Sequence, residues 1–321
     1  MVSIKYLVQL FFIFFVCVGF AQKSLVYSHQ SVHYNSALSL YNNQQYKSAQ
    51  LIFQSLESST SDFFLKSNAT FYIANCAIRL NQPNAESLLE SFVRDYPFST
   101  KRNSAYFEIA NYYFKISKYS YACEWYAKVE PNKLSAFNIN SFHFNYGYSL
   151  YEIKKYEKAK LNLDLVENSK VYGSQAKYYM GFIAYLMDDY NTASMYFDQL
   201  EDDQAYDDDF IYYQSDLNFK LGNFKKAIDL ALVGIKNSSA KEVSELSKII
   251  GESYFNLEEY NKAILYLDVY KGKKGQWSQT DFYLLGYAYY KQKDYQKSIN
   301  EFNKIIDDSN DISQNAYYIL G

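Results

Sequence analysis

One spacing recurs along almost the whole chain and narrows what it can fold into. A small residue is followed nine positions later by Tyr or Phe and twelve positions later by Ala or Ser. The copies are Ala37/Tyr46/Ala49, Ala110/Tyr119/Ala122, Gly147/Tyr156/Ala159, Gly181/Tyr190/Ala193, Ser215/Phe224/Ala227, Gly251/Tyr260/Ala263 and Gly286/Tyr295/Ser298. One more, Ala74/Ala85, is a residue short and carries Pro83 in its turn. Successive first positions lie 37, 36, 37, 34, 34, 36 and 35 residues apart. A period of this length is that of stacked helical pairs, in which each unit buries its apolar face against its neighbours.

Each copy shows why. In Tyr283-Leu284-Leu285-Gly286-Tyr287-Ala288-Tyr289-Tyr290 apolar residues recur three and four apart, the period of one helix face. Lys293-Asp294-Tyr295 is a short polar turn closed by an aromatic, and Gln296 to Ile305 reads as a second helix. Small side chains at Gly286 and Ser298 let the two helices approach. Pro97 and Pro131 are placed past the ends of second helices, where a missing amide hydrogen costs little.

The motif, Leu/Ile-Gly/Ala-x-x-Tyr/Leu, then Tyr-x-x-Ala, then an aromatic or Leu four residues on, resembles the tetratricopeptide repeat. Good copies are Tyr146-Gly147 with Tyr156-Glu157-Lys158-Ala159 and Leu163, and Leu285-Gly286 with Tyr295-Gln296-Lys297-Ser298 and Phe302. The resemblance implies an all-α fold, a right-handed superhelical solenoid of antiparallel helix pairs. Eight pairs are expected over residues 30–313, and residues 314–321 reproduce the first part of a ninth repeat. We expect that end to be an interruption, because a solenoid stopping there leaves a face without its polar cap. In the sixth copy Ala231 and Gly234 stand where larger apolar residues usually pack. The chain is similar in composition to secreted tetratricopeptide proteins of Gram-negative bacteria, especially Bacteroidetes.

Export is read from the first 21 residues. Lys5 precedes the apolar run Leu7 to Phe20, and Gly19-Phe20-Ala21 places small residues at −3 and −1 of a cleavage site before Gln22. The run falls short of the ~20 residues that span a bilayer. Residues 1–21 are therefore expected to be a cleaved signal peptide and 22–29 a short lead, with no transmembrane span left after cleavage. The expected compartment is the periplasm or the periplasmic face of the outer membrane.

Aromatic residues make up 20% of the chain, with 37 Tyr and 24 Phe, and that excess needs a use. By the geometry of the family, first helices line the concave side. The inward set then includes Phe107 and Phe114, Phe144 and Tyr151, Tyr178 and Tyr185, Tyr212 and Phe219, Tyr283 and Tyr290. Tyr34, Tyr41, Phe71, Ile78 and Phe255 extend it. Residues seven apart share a helix face, so each pair can form one step of an aromatic ladder. Polar Asn75, Asn111, Asp216 and Glu252 alternate with it. Two uses stay open: packing between repeats, and a groove whose half-wet aromatics bind a protein or peptide.

Other chemistry finds little support. Repeats that grip a C-terminal carboxylate carry Lys or Arg one turn before Asn; here Phe71 precedes Asn75 and Phe107 precedes Asn111, while Lys248 precedes Glu252. His29 and His33 lack the Glu of the zinc-protease motif, so no metal is expected. The acidic stretch from Glu201 to Asp209 has no Gly for a calcium turn, and Lys271, Lys273 and Lys274 read as a solvated basic turn. Cys76 and Cys123 occupy positions where small apolar side chains pack and are read as buried thiols. No phosphate loop or nucleophile elbow occurs, so neither catalysis nor a cofactor is expected. A formal charge of −3, with no basic stripe, argues against nucleic acid. The leading expectation is an exported, non-catalytic scaffold for a protein or peptide. The alternatives are an assembly module of an envelope complex, meeting its other subunits through its ends and convex side, and an accessory domain of an enzyme lying beyond Gly321.

Overall fold

The computed structural model describes residues 29–200, 208–236, 239–306 and 310–320. The expected signal peptide and nearly all of the lead lie outside the described residues, as do Gly321 and residues 201–207 of the acidic stretch. Among the described residues there are seventeen α-helices, and no strand beyond an isolated bridge between Lys273 and Gln276. The chain divides into two compact units, one ending at Tyr172 and one beginning at Gly173.

The first unit holds α1 (29–42), α2 (Tyr46–Ser59), α3 (Phe63–Arg79), α4 (Ala85–Asp95), α5 (Arg102–Lys115), α6 (Tyr119–Tyr126), α7 (Ala136–Glu152) and α8 (Tyr156–Leu163). The second holds α9 (Gly173–Leu186), α10 (Tyr190–Asp198), α11 (Asp208–Lys220), α12 (Phe224–Ile235), α13 (Ala240–Asn256), α14 (Tyr260–Leu267), α15 (Gln279–Lys291), α16 (Tyr295–Phe302) and α17 (Asp311–Leu320). Within each unit a first, odd-numbered helix packs on the second helix that follows, and that one packs on the next first helix.

The repeated small residue does the work its register implies. A Cβ on Gly147 would stand 2.8 Å from the Leu163 side chain, one on Gly181 2.4 Å from the Phe197 ring, and one on Gly286 2.8 Å from the Phe302 ring. Each of these large partners lies sixteen positions on, at the last conserved place of the motif. The motif is thus a knob on the second helix seated over a gap on the first. The sixth copy has small residues on both sides, Ser215 and Ala231, and both are fully buried. Its core is completed instead by Ile228, Leu246 and Ile250, reaching into the following helix.

Turns between paired helices close with one left-handed residue. Gln44, Ser117, Lys154, Asp188, Gly222, Glu258 and Lys293 all have φ between 57 and 77°. The amide one residue further on returns to a carbonyl five residues back, as in Lys155 N–H to Leu150 O at 2.8 Å, so orphan carbonyls of the first helix are satisfied. Only one of the seven is a glycine, although L side chains resist this conformation by roughly 1–2 kcal/mol. The shortened repeat solves its turn differently: Asn81 and Asn84, flanking Gln82 and Pro83, are both left-handed, and asparagine tolerates that region best after glycine. Pro97 follows the end of α4, and Pro131 opens a short 3-10 turn after α6.

Candidate interaction surface

In the first unit the successive first helices α3, α5 and α7 border a cleft of about 420 Å³. Ile78, Phe107, Ile116 and Phe137 give it apolar walls, and Asn111, Asn138, Ser141 and Asn145 line it with amides and a hydroxyl. Arg79, from the last turn of α3, reaches across to α5 and holds both oxygens of Glu108 at 3.1 Å. Burial pushes the Glu108 carboxyl above the usual carboxylate range, against the pull of Arg79. One step along, the buried Tyr126 hydroxyl donates to Asn111 Oδ1 at 2.6 Å, and Asn145 Nδ2 donates to the same oxygen at 3.2 Å. Lys115 stands at the rim with its ammonium 3.4 Å from Asn81 Oδ1, while Arg79 is engaged by Glu108. Among the described residues the cleft therefore offers a cation whose hydrogen bond goes to a neutral amide.

The second unit repeats the plan with charges. The Tyr185 hydroxyl of α9 donates to Asp216 of α11, and Lys220 reaches both, at 3.1 Å from Tyr185 Oη and 2.9 Å from Asp216. Burial opposes the charge of Lys220, but its hydrogen bonds to Asp216 and Tyr185 outweigh that and raise the ammonium above its ordinary value. Burial, then the Asp216 carboxylate, pushes the Tyr212 hydroxyl up to about 12. Further on, Lys248 of α13 contacts Asp281 at 2.7 Å and Glu252 at 3.6 Å. Burial raises the Glu252 carboxyl; Lys248 opposes this, and Asp281 adds to it.

The ten sequence-selected aromatics occupy different environments. Phe107 and Phe144 are buried, the first against Tyr126 and Phe142, the second stacked on Tyr172 at 4.9 Å. Phe114, Tyr151, Tyr178, Tyr185, Tyr212, Phe219 and Tyr283 are half-buried, and Tyr290 is exposed. The half-buried rings meet other rings edge-on or tilted: Phe114 with Tyr148 at 5.8 Å and Tyr178 with Phe210 at 5.5 Å, both across successive repeats, and Tyr283 with Phe302 at 5.8 Å within one pair. Within each unit, rings of one repeat therefore touch rings of the next, and much of the aromatic excess holds pairs together. Phe71 and Phe107, which stand where a carboxylate grip would need a cation, are both buried.

Reading the sequence missed Arg79, Glu108, Lys115, Asn145 and Lys220. The register contained a signal for three of them: Arg79, Lys115 and Lys220, like Lys291, each stand five positions after the small residue of their repeat. Among the described residues no group of three or more His, Cys, Asp or Glu is arranged for a metal. Cys76 and Cys123 are buried free thiols, pushed up to about 11 by burial. No helix among the described residues is long and apolar enough to cross a membrane.

A tetratricopeptide repeat family model matches residues 68–99 and 282–309, the pairs α3/α4 and α15/α16. The chain is an all-helical repeat protein, and two of its helix pairs match the tetratricopeptide repeat. Among solved tetratricopeptide folds it resembles YrrB, described as having an unusual peptide-binding site, at 17% identity over 55% of this chain and 91% of that one, with a TM-score of 0.47. A tetratricopeptide repeat protein from Parabacteroides merdae aligns at 15% identity over 79% of this chain and 97% of its own, TM-score 0.44. The apo form of RapI aligns at 14% over 91% and 98%, TM-score 0.42. No curated protein matches the sequence.

Proposed function

We propose that this chain is an exported, non-catalytic scaffold that holds a protein or peptide segment against the inner face of its first helices. The observation that carries the reading is the cleft of the first unit, where apolar walls, amides and Lys115 converge without a nucleophile–base pair. An extended segment would place an apolar side chain against Ile78 and Ile116, and its main-chain amides beside Asn138 and Asn145. The half-buried aromatics of the ladder would flank it. Export rests on the leader: the mature chain should begin at Gln22, and N-terminal sequencing of protein recovered from an envelope fraction that still read from Met1 would remove that part.

The binding reading is tested with a displayed library of random peptides. Ser141→Arg narrows the cleft from a half-buried position, and Lys115→Glu reverses an exposed charge. Both should leave thermal unfolding nearly unchanged and weaken selected peptides by about 2 kcal/mol, the scale of a hot-spot residue. Peptides that bind both variants as tightly as the unaltered chain would refute a role for this cleft.

A further inference from the structure

The helices of each pair run in opposite directions, so within the first unit every connection from a second helix to the next first helix emerges at one edge. The contacts confirm the alignment. Thr60 meets Gln30 at 3.3 Å, the ring of Phe63 lies 5.5 Å from that of Tyr96, and Ser67 donates to Ser99 at 2.8 Å. Asn103 exchanges two hydrogen bonds with the Glu130 backbone, at 3.1 and 2.7 Å. Each connection, or the first helical turn after it, exposes a bulky apolar side chain: Phe63 at 66%, Phe64 at 62%, Phe98 at 95%, Phe137 at 91% and Val171 at 75%. Val32, in the first turn of α1, is 65% exposed. Cβ atoms lean toward a helix N-terminus, so the residues that open α3 and α7 point out along the edge. The opposite edge is different. Its turns, residues 43–45, 80–84, 116–118 and 153–155, are dominated by Asn, Gln, Ser and Lys.

Beside Phe98 lies a recess of about 410 Å³ between residues 97–103 and 130–133. Ser99, Thr100, Arg102, Glu130 and Lys133 line it. The Arg102 guanidinium lies over the Tyr106 ring at 5.3 Å, and Lys133 pairs with Glu130 at 2.7 Å. Apolar tips in a row, with Lys101, Lys128, Lys133 and Lys170 and the carboxylates Asp62, Glu130, Asp164 and Glu167 in the same connections, match an amphiphile layered the same way: acyl chains beyond, zwitterionic phosphate headgroups alongside. A protein partner is gripped by a few anchors sunk together in a central pocket, whereas these tips are separated by polar backbone. Lipids rearrange around separate tips without needing a complementary shape.

We propose that this edge of the first unit docks on a phospholipid bilayer, with Phe64, Phe98 and their neighbours inserted at the interface and the recess beside Phe98 receiving a headgroup. The edge is distinct from the cleft except at Phe137, which belongs to both. Apolar insertion drives the association, so salt screens it little.

The test floats the chain from Gln22 onward, which keeps every described residue, with vesicles of phosphatidylcholine, or of phosphatidylethanolamine mixed with phosphatidylglycerol. Phe64→Ser/Phe98→Ser alters two tips that do not line the cleft and that, being exposed, leave unfolding unchanged. Leu51→Ser/Leu161→Ser, also well exposed but on second helices, is the control. The expected result is partitioning of the unaltered chain and the control at both about 0.1 and about 0.5 M salt, with the tip variant reduced at least about tenfold. Absence of the chain from every vesicle fraction, an equal loss in the control, or capture by a protein through the same tips without vesicle binding would overturn the assignment. Peptide selection through the cleft would survive each of those results.

Discussion

Gly181→Ala should destabilise the second unit through a single added methyl. Its Cβ would stand 2.4 and 2.6 Å from two carbons of the Phe197 ring, where contact begins at about 3.5–4.0 Å. The ring has to move by roughly an ångström, and its neighbours prevent it: Phe182 and Phe210 meet it edge-on at 5.3 and 5.0 Å. Overpacking of this kind costs about 1–3 kcal/mol. Alanine's better helix propensity returns about 1 kcal/mol, which leaves a net loss of up to about 2 kcal/mol. Gly147→Ala gives a calibration, because its Cβ meets the Leu163 Cγ at 2.8 Å, a longer approach than at Gly181, and an aliphatic side chain yields more cheaply than a ring held on two sides. Urea unfolding followed by far-UV circular dichroism should rank Gly181→Ala well below Gly147→Ala. Adding Phe197→Leu should recover part of the loss, giving a favourable coupling of at least about 1 kcal/mol between the sites. Equal midpoints for the two glycine variants, or strict additivity with Phe197→Leu, would refute the knob-over-gap account of the register.

Tyr126→Phe removes the 2.6 Å hydrogen bond to Asn111 inside a buried cluster; a loss of about 1 kcal/mol is expected in urea, because Asn145 still serves that oxygen. Lys154→Gly relieves a left-handed residue at φ 60° and should stabilise the first unit by about 0.5–1 kcal/mol, read as a higher melting temperature. Glu252 has a folded pKa raised by burial and by Asp281, so its contribution to stability is present in acid and lost as pH rises through that value. Glu252→Gln should therefore be more stable than the unaltered chain near pH 7, and the advantage should disappear below the usual carboxylate range; an equal advantage at both pH values would contradict the assignment.

The fold was legible because its signal is steric and repeats. A small residue at one position and a large one sixteen later are two halves of one contact, so Gly147 with Leu163 or Gly286 with Phe302 can be read without coordinates. Burial along a helix face was not legible. Phe107 and Phe114 share a face by spacing, yet the first is buried between Tyr126 and Phe142 while the second sits at the last turn, half-buried beside Tyr119 and Tyr148. Whether a ring is covered depends on how far the neighbouring pair extends, which period alone does not encode. The exposed row was missed for a related reason: in a chain so rich in Phe, an isolated Phe98 in a connection carries no mark of exposure. The Arg79–Glu108 pair joins residues of different repeats, and charges are too common on helices for that pairing to stand out.

The left-handed turns and the sixteen-residue contacts have a consequence for how such a chain changes over time. Within each unit, nearly every contact that stabilises a helix pair joins residues less than about one period apart, so contact order is low and nucleation can begin at more than one place. A pair can then be gained, shortened or lost without redesigning a common centre. The copy at Ala74, a residue short and closed by two asparagines, shows that tolerance: its own turn takes up the difference while the neighbouring pairs keep their register.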